Sequence, residues 1–396
     1  MQKRAIETRQ RILDGLVKVI VNDGLAGVTH RAVAQVAGVS LAATTRHFAT
    51  KSAMLTEVSE HVLTGYVARL ERTLRTILER EGGGVSSLSD LLNRVTMNGL
   101  HRDRELSLAW CELMLNGGRS DAGRAMARRW FGEIDRIWAA IAASLGADRE
   151  AAVMAVNLTV GNLVLLHPAR LAESDILSLL SNKISLPAAL ENHGSLALKD
   201  EDIPPEAAAR KVIDAAVEQL ICGGPQSVSY RSVSQRAGLS RSAPSYHFGS
   251  VDALLQAAQL ALFERAMARY NGGFSAFSDR ALDSDRLVDV TTAILSSEAM
   301  AHMAENLAFY SVWVRSAASE WLRPTILRAL VTQQRAWAET LQLAGLPHDR
   351  AFNMQAAFVG KLIRAIAVGP EVSHLALSRS EFEGVLQGRF GTFVQF

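Results

Sequence analysis

Residues Thr29 to Lys51 read THRAVAQVAGVSLAATTRHFATK, and a second version of the stretch returns at Ser229 as SYRSVSQRAGLSRSAPSYHFGSV. Thr29 answers to Ser229, Arg31 to Arg231, Ala37-Gly38 to Ala237-Gly238, Ser40 to Ser240 and His47-Phe48 to His247-Phe248, always 200 positions apart. From Ile12 to Leu55 against Val212 to Leu255, 15 of 44 positions are identical without a gap. An internal repeat of this kind governs the reading of everything around it.

Each copy carries the same local signals. Before the first, Ile12, Leu13, Leu16, Val17, Val19 and Ile20 recur at three- and four-residue spacing, which predicts a helix over 7–23 that Gly24 stops. Thr29 is a side-chain cap for a short helix through Ala37, Gly38 permits a tight turn, and Ser40 caps a second short helix ending near Phe48. Lys51 opens a long helical pattern. Two short helices set at an angle across a glycine turn form a helix-turn-helix, whose second helix fits a major groove.

Both THRAVAQVAGVSLAATTRHFATKSAML and SYRSVSQRAGLSRSAPSYHFGSVDALL resemble the DNA-binding head of the tetracycline-repressor (TetR) family of bacterial transcription regulators. The resemblance is specific over Arg9 to Leu55 and Arg210 to Leu255. It implies a three-helix head, a variable helical ligand-binding body and two-fold dimerisation.

The bodies repeat as well. Helical patterns run over 89–101, 105–115, 124–145, 149–166 and 174–184, and again over 286–300, 305–316, 320–343, 349–368 and 380–387. Trp138 answers to Trp337, Gly146 to Gly345 and Gly161 to Gly360, now 199 apart. Gly82-Gly83-Gly84 breaks the first long helix, and 185–208, rich in proline and charge, reads as a linker. The expected architecture is therefore all-α, two tandem TetR-like units making an intramolecular pseudo-dimer. Its parts are a first head (1–55), a first body (56–184), a linker (185–205), a second head (206–255) and a second body (256–396). The pairs 124–145 with 149–166 and 320–343 with 349–368 are expected to form a four-helix interface containing Trp138 and Trp337. Further homodimerisation is left open.

In the first head the expected DNA contacts are Thr29, Arg31 and Lys51 to phosphate, with Ser40, Leu41, Thr44, Thr45, Arg46 and His47 on the reading helix. Packing is an equal reading for His47, and Val33, Val36, Val39 and Phe48 are assigned to the core. In the second head Ser229, Tyr230, Arg231, Arg241, Ser242, Ser245, Tyr246 and His247 take these places. The resemblance implies a phosphate-touching tyrosine where this chain has Thr45 and Ser245, a departure that leaves that contact open. Pro244 falls near the end of the first turn of its helix, where a missing amide is tolerated.

The heads differ in charge. Residues 1–51 hold eight Lys/Arg against three Asp/Glu, a balance of +5, whereas 205–252 hold five against four, a balance of +1. Phosphate neutralisation drives much of DNA affinity, so the first head is expected to bind more strongly. Candidate effector contacts in the bodies are Met97, His101, Trp110 and Met114, then His302, Phe309, Tyr310 and Trp313, which also suit an ordinary core.

The 396 residues are 48% apolar and 21% charged, with a net charge of +2, the profile of a globular protein. Cys111 and Cys222 occupy non-equivalent positions and imply no disulfide framework. The opening MQKRAIETRQ leads into Glu7, Arg9, Arg11 and Asp14 rather than an apolar signal core, and the uncharged run 151–166 is short for a membrane span. A cytoplasmic, nucleoid-associated protein that binds double-stranded DNA and a small-molecule effector, and no membrane, is expected. No phosphate loop, metal-ligand cluster or nucleophile motif is present, so neither a cofactor nor an enzyme is implied. An adaptor in which one or both heads no longer read DNA is the alternative.

Overall fold

The computed structural model describes residues 2–79, 85–192, 207–275, 282–370 and 378–388. It is all-α, with no strand among the described residues. The first half contains α1 (Gln2–Gly27), α2 (His30–Ala37), α3 (Leu41–His47), α4 (Lys51–Glu79), α5 (Leu88–Leu100), α6 (Arg104–Gly117), α7 (Asp121–Ser144), α8 (Arg149–Leu166), α9 (Glu173–Leu180) and α10 (Leu186–Asn192). The second contains α11 (Ala207–Gly223), α12 (Tyr230–Ala237), α13 (Ala243–His247), α14 (Val251–Ser275), α15 (Ser284–Met300), α16 (Met303–Arg315), α17 (Arg323–Leu343), α18 (Ala351–Val368) and α19 (Ser378–Leu386).

The halves meet on α8 and α18, the most extensive helix pair in the molecule. Both are long and apolar enough to cross a membrane, yet most of their residues are buried inside the protein. Small residues let the backbones approach. A Cβ at Gly161 would lie 1.9 Å from the Ala356 carbonyl oxygen, and one at Gly360 would lie 1.8 Å from that of Asn157. Asn157 and Ala356 are themselves 199 apart, so the contact is reciprocal, as in a two-fold interface. Buried beside it, Lys361 Nζ donates to Glu381 at 2.6 Å, and Asn157 Nδ2 from the other half donates to the same carboxylate at 3.0 Å.

Three expectations change. The interface adds α6 against α16 to the expected contact of α7 with α18, while α17 meets the first half at α10 and through Arg323 on the Pro168 carbonyl. Trp138 and Trp337 turn into their own halves: Trp138 Nε1 donates to Tyr66 at 3.4 Å, and the Trp337 ring lies 6.2 Å from that of Phe358. The chain from 186 to 192 is a helix with Leu186, Ala189 and Leu190 buried, so the connection between halves starts later than expected. The rest of the linker, and Gly82-Gly83-Gly84, lie outside the described residues.

Candidate functional site

Each head is assembled by its caps. Thr29 Oγ1 accepts from Ala32 N at 3.1 Å, Ser40 Oγ accepts from Ala43 N at 3.1 Å, and Gly38 turns the chain at φ 61°. Ser229 and Ser232 cap α12 reciprocally, and Gly238 turns at φ 64°. From Arg31 to Thr64, every residue is buried, half-buried or exposed to the same degree as the residue 200 places on. The two heads therefore present the same surface positions with different side chains.

Those surfaces hold most of the expected contacts. Arg31, Ser40, Leu41, Thr45 and Arg46 are exposed on the first head, as are Arg231, Arg241, Ser242, Ser245 and Tyr246 on the second. Of the others, Thr29 is an exposed cap, Ser229 and His247 are half-buried, and four are engaged inside the heads instead. Thr44 is fully buried, with Oγ1 donating to Leu41 O at 2.7 Å, so it cannot reach a base edge. Lys51 Nζ donates to Leu25 O at 2.6 Å, closing the end of α1, and partial burial lowers its pKa. His47 is half-buried with Nε2 enclosed and unpartnered, which favours packing over reading. The Tyr230 hydroxyl donates to Phe248 O at 2.7 Å.

This last contact exposes a device the sequence did not reveal. His30 Nε2 bonds Phe48 O, also at 2.7 Å, so two chemically different side chains 200 residues apart tie the first residue of α2 or α12 to the end of the reading helix. Val36, assigned to the core, is 46% exposed. Its counterpart Arg236 was the available signal.

Pro244 separates the reading helices. In the first head the amides of Ala43 and Thr44 both bond Ser40 O, at 3.0 and 3.2 Å. In the second, Ala243 N keeps its bond to Ser240 O at 3.1 Å, but Pro244 has no amide, and α13 begins at Ala243 where α3 began at Leu41.

Each head is also gripped from the opposite half. Arg315, ending α16, donates to Ile20, Val21 and Asn22 carbonyls at 3.3, 2.9 and 2.8 Å, which closes the α1 turn before Gly24 (φ 68°). Arg315 Nε also lies 3.7 Å from Glu112 on α6. Burial pushes the Glu112 carboxyl up to about 7 against the pull of that guanidinium. Arg119, just after α6, donates to Ile221 O at the end of α11 at 2.5 Å.

The first body holds a cavity of about 140 Å³ between α4, α5, α6, α7 and α8, open to solvent beside Arg102. Its apolar wall includes Leu63, Leu70, Ile134, Leu163 and the Trp110–Trp130 pair, stacked with centroids 5.7 Å apart. Tyr66, Arg69, Arg102, Asp103 and Ser107 bring polar groups to it. Of the expected effector contacts in this half, Trp110 lines the cavity. Met114 lines a separate hollow of about 190 Å³, Met97 packs against the core, and His101 ends α5 with Nε2 enclosed.

The second body has filled the corresponding space. Tyr270 stands where the first half has Leu70, and Phe263 where it has Leu63. Phe263, Phe309 and Trp313 pack as one buried aromatic cluster, with Phe263–Phe309 centroids at 5.2 Å. Phe309 and Trp313 thus serve as core. Tyr310 borders a void of about 30 Å³, and His302 is half-buried 3.8 Å from Glu305.

The helix–glycine turn–helix arrangement stands at 30–47 and again at 230–247 on an all-helical body, the geometry whose second helix fits a major groove. Residues 212–258, the second head and the start of α14, match the family model described as bacterial regulatory proteins, tetR family. No curated protein matches the chain.

Proposed function

We propose that the chain is a DNA-binding transcription regulator, a repressor that reads an asymmetric operator with two unequal heads and is released by a small-molecule effector. The observation that carries this reading is the residue-for-residue repetition of burial between 31–64 and 231–264, because 231–258 of the second stretch falls inside the family-matched residues 212–258. Arg31 and Arg46 against Arg231, Arg241 and Tyr246 give the two reading surfaces different chemistry. A fused pair is released from the palindrome that a homodimer imposes, and tethering supplies the second head at high effective concentration.

Regulation follows from α6. This helix carries Trp110 into the cavity, Glu112 to the Arg315 clamp on α1, and ends beside Arg119, the clamp on α11. An effector that favours another setting of α6 shifts both clamps, and the population moves to an arrangement of heads that fits DNA less well. The domain limits proposed are those of the two heads and bodies above, with the first body extended through α10.

Footprinting the purified protein on the DNA upstream of its own gene, across a salt series, tests the reading. An uninterrupted footprint whose two halves differ in sequence, weakening steeply with salt, is expected. Absence of protection at every salt concentration would favour the adaptor.

A further inference from the structure

We infer that the chain takes one ligand, in the first half only, and that this ligand is a one- or two-ring aromatic anion. The inference rests on the effector reading above and assigns that effector a chemistry and a stoichiometry.

The size sets the first limit. A cavity of about 150 Å³ holds a benzene-sized guest; the 140 Å³ here has a stacked indole pair as one wall and opens to solvent at the exposed Arg102, where a second ring extends. Flat rings gain offset-stacked contact on such a wall.

The polar groups set the second, because donors outnumber acceptors. Among the described residues, Asp103 alone answers two guanidiniums, Arg69 at 3.7 Å and Arg102 at 2.9 Å. Trp130, which lines this cavity and the neighbouring hollow, is 1% exposed, and its Nε1–H has no partner among the described residues. The Thr159 hydroxyl is spent on Ala155 O at 2.8 Å, and Ser107 is bonded to His167 at 2.7 Å. A carboxylate would bring acceptors and the missing negative charge.

The second half shows the closed version of the same frame. Arg269, the counterpart of Arg69, is held by Glu298 at 3.0 Å and Glu305 at 2.9 Å, and Tyr270 fills the place of Leu70 while donating to Asn306 Oδ1 at 3.0 Å. Among the described residues the space there shrinks to a void of about 30 Å³, and the guanidinium is answered by two carboxylates.

The test uses 2-naphthoate and its uncharged isostere 2-naphthamide, followed by calorimetry and quenching of tryptophan fluorescence on the full chain without DNA. One naphthoate per chain is expected, about tenfold tighter than the amide, the worth of one charge-assisted hydrogen bond. R102Q, at an exposed side chain that leaves the core untouched, removes most of that preference without weakening the amide. L163W, its fold checked by circular dichroism, abolishes binding of both. Two equivalents of naphthoate, equal affinity for the two probes, or an unchanged preference in R102Q would overturn the inference. Should naphthoate bind once and leave a protein–DNA complex intact, the ligand assignment stands and the effector reading falls.

Discussion

Val21 and Ile221, 200 residues apart at the ends of α1 and α11, each give their backbone carbonyl to an arginine of the opposite half, Arg315 at 2.9 Å and Arg119 at 2.5 Å. Neither arginine occupies the repeat-equivalent position of the other, so the same cross-brace is reached from two different sequence positions. Each head is thereby fixed to the body of its partner unit as well as to its own.

The two braces differ in strength. Arg315 makes three carbonyl bonds and faces Glu112, whereas Arg119 makes the one to Ile221. With charged hydrogen bonds worth about 1.5–3 kcal/mol, R315A should lower unfolding free energy by about 3 kcal/mol and R119A by about half of that. Urea titration of the two variants measures the difference. Equal losses would contradict the assignment of the braces.

Glu112 makes stability depend on pH. Its carboxyl is raised by burial from the usual 4.5 to about 7, so the folded state holds a proton that the unfolded state releases. Its favourable contribution is complete below about pH 4.5 and is lost as pH rises through about 7. The size is about 3 kcal/mol. His167 works in the opposite sense: burial, then the charge of Arg104, depresses it to about 3, so stability falls as pH drops from 6.5 towards that value. E112Q should remove the alkaline-side loss and leave the acid-side one, as read by denaturant midpoints between pH 4 and 8.

Gly161 and Gly360 permit the closest approach of the two halves. G161V or G360V places a Cβ within 2 Å of a carbonyl of the crossing helix, where only backbone movement gives relief. Either should lower stability by about 3 kcal/mol, the upper end of overpacking, and both together should abolish cooperative unfolding. G146A, at a turn with nothing within 4 Å but φ 74°, is the control for backbone conformation alone.

Within the first head, Thr44 and Arg46 should separate folding from recognition. T44V removes a buried hydroxyl bonded to Leu41 O and should reduce stability by about 1 kcal/mol without changing the salt slope of DNA binding. R46A, at an exposed side chain, should leave the melting temperature unchanged and lower that slope by about one. Fluorescence anisotropy across a salt series distinguishes the two.

The heads were legible in sequence because their signals are local. Thr29, Gly38 and Ser40 act on amides within three residues, and the repeat supplied an internal check on each. What sequence could not show depends on chain segments far apart. Lys51 reads as a phosphate ligand until the end of α1 is seen 26 residues back within its reach. Trp138 and Trp337 recur, which suggested a shared interface, but recurrence is equally satisfied by each half using its tryptophan in its own core. The cavity was missed in part because its polar residues, Arg69, Arg102 and Asp103, belong to a long helix and a turn that look like ordinary solvated surface. The substitution of Leu70 by Tyr270 between repeats was the signal that could have located it.

The central claim, one chain acting as its own unequal dimer, is tested most directly by selecting binding sites from a random DNA pool and measuring the mass of the resulting complex by light scattering. One chain of 42.9 kDa per site and a selected sequence with two dissimilar halves are the expected results. Two chains on a perfect palindrome would contradict the account.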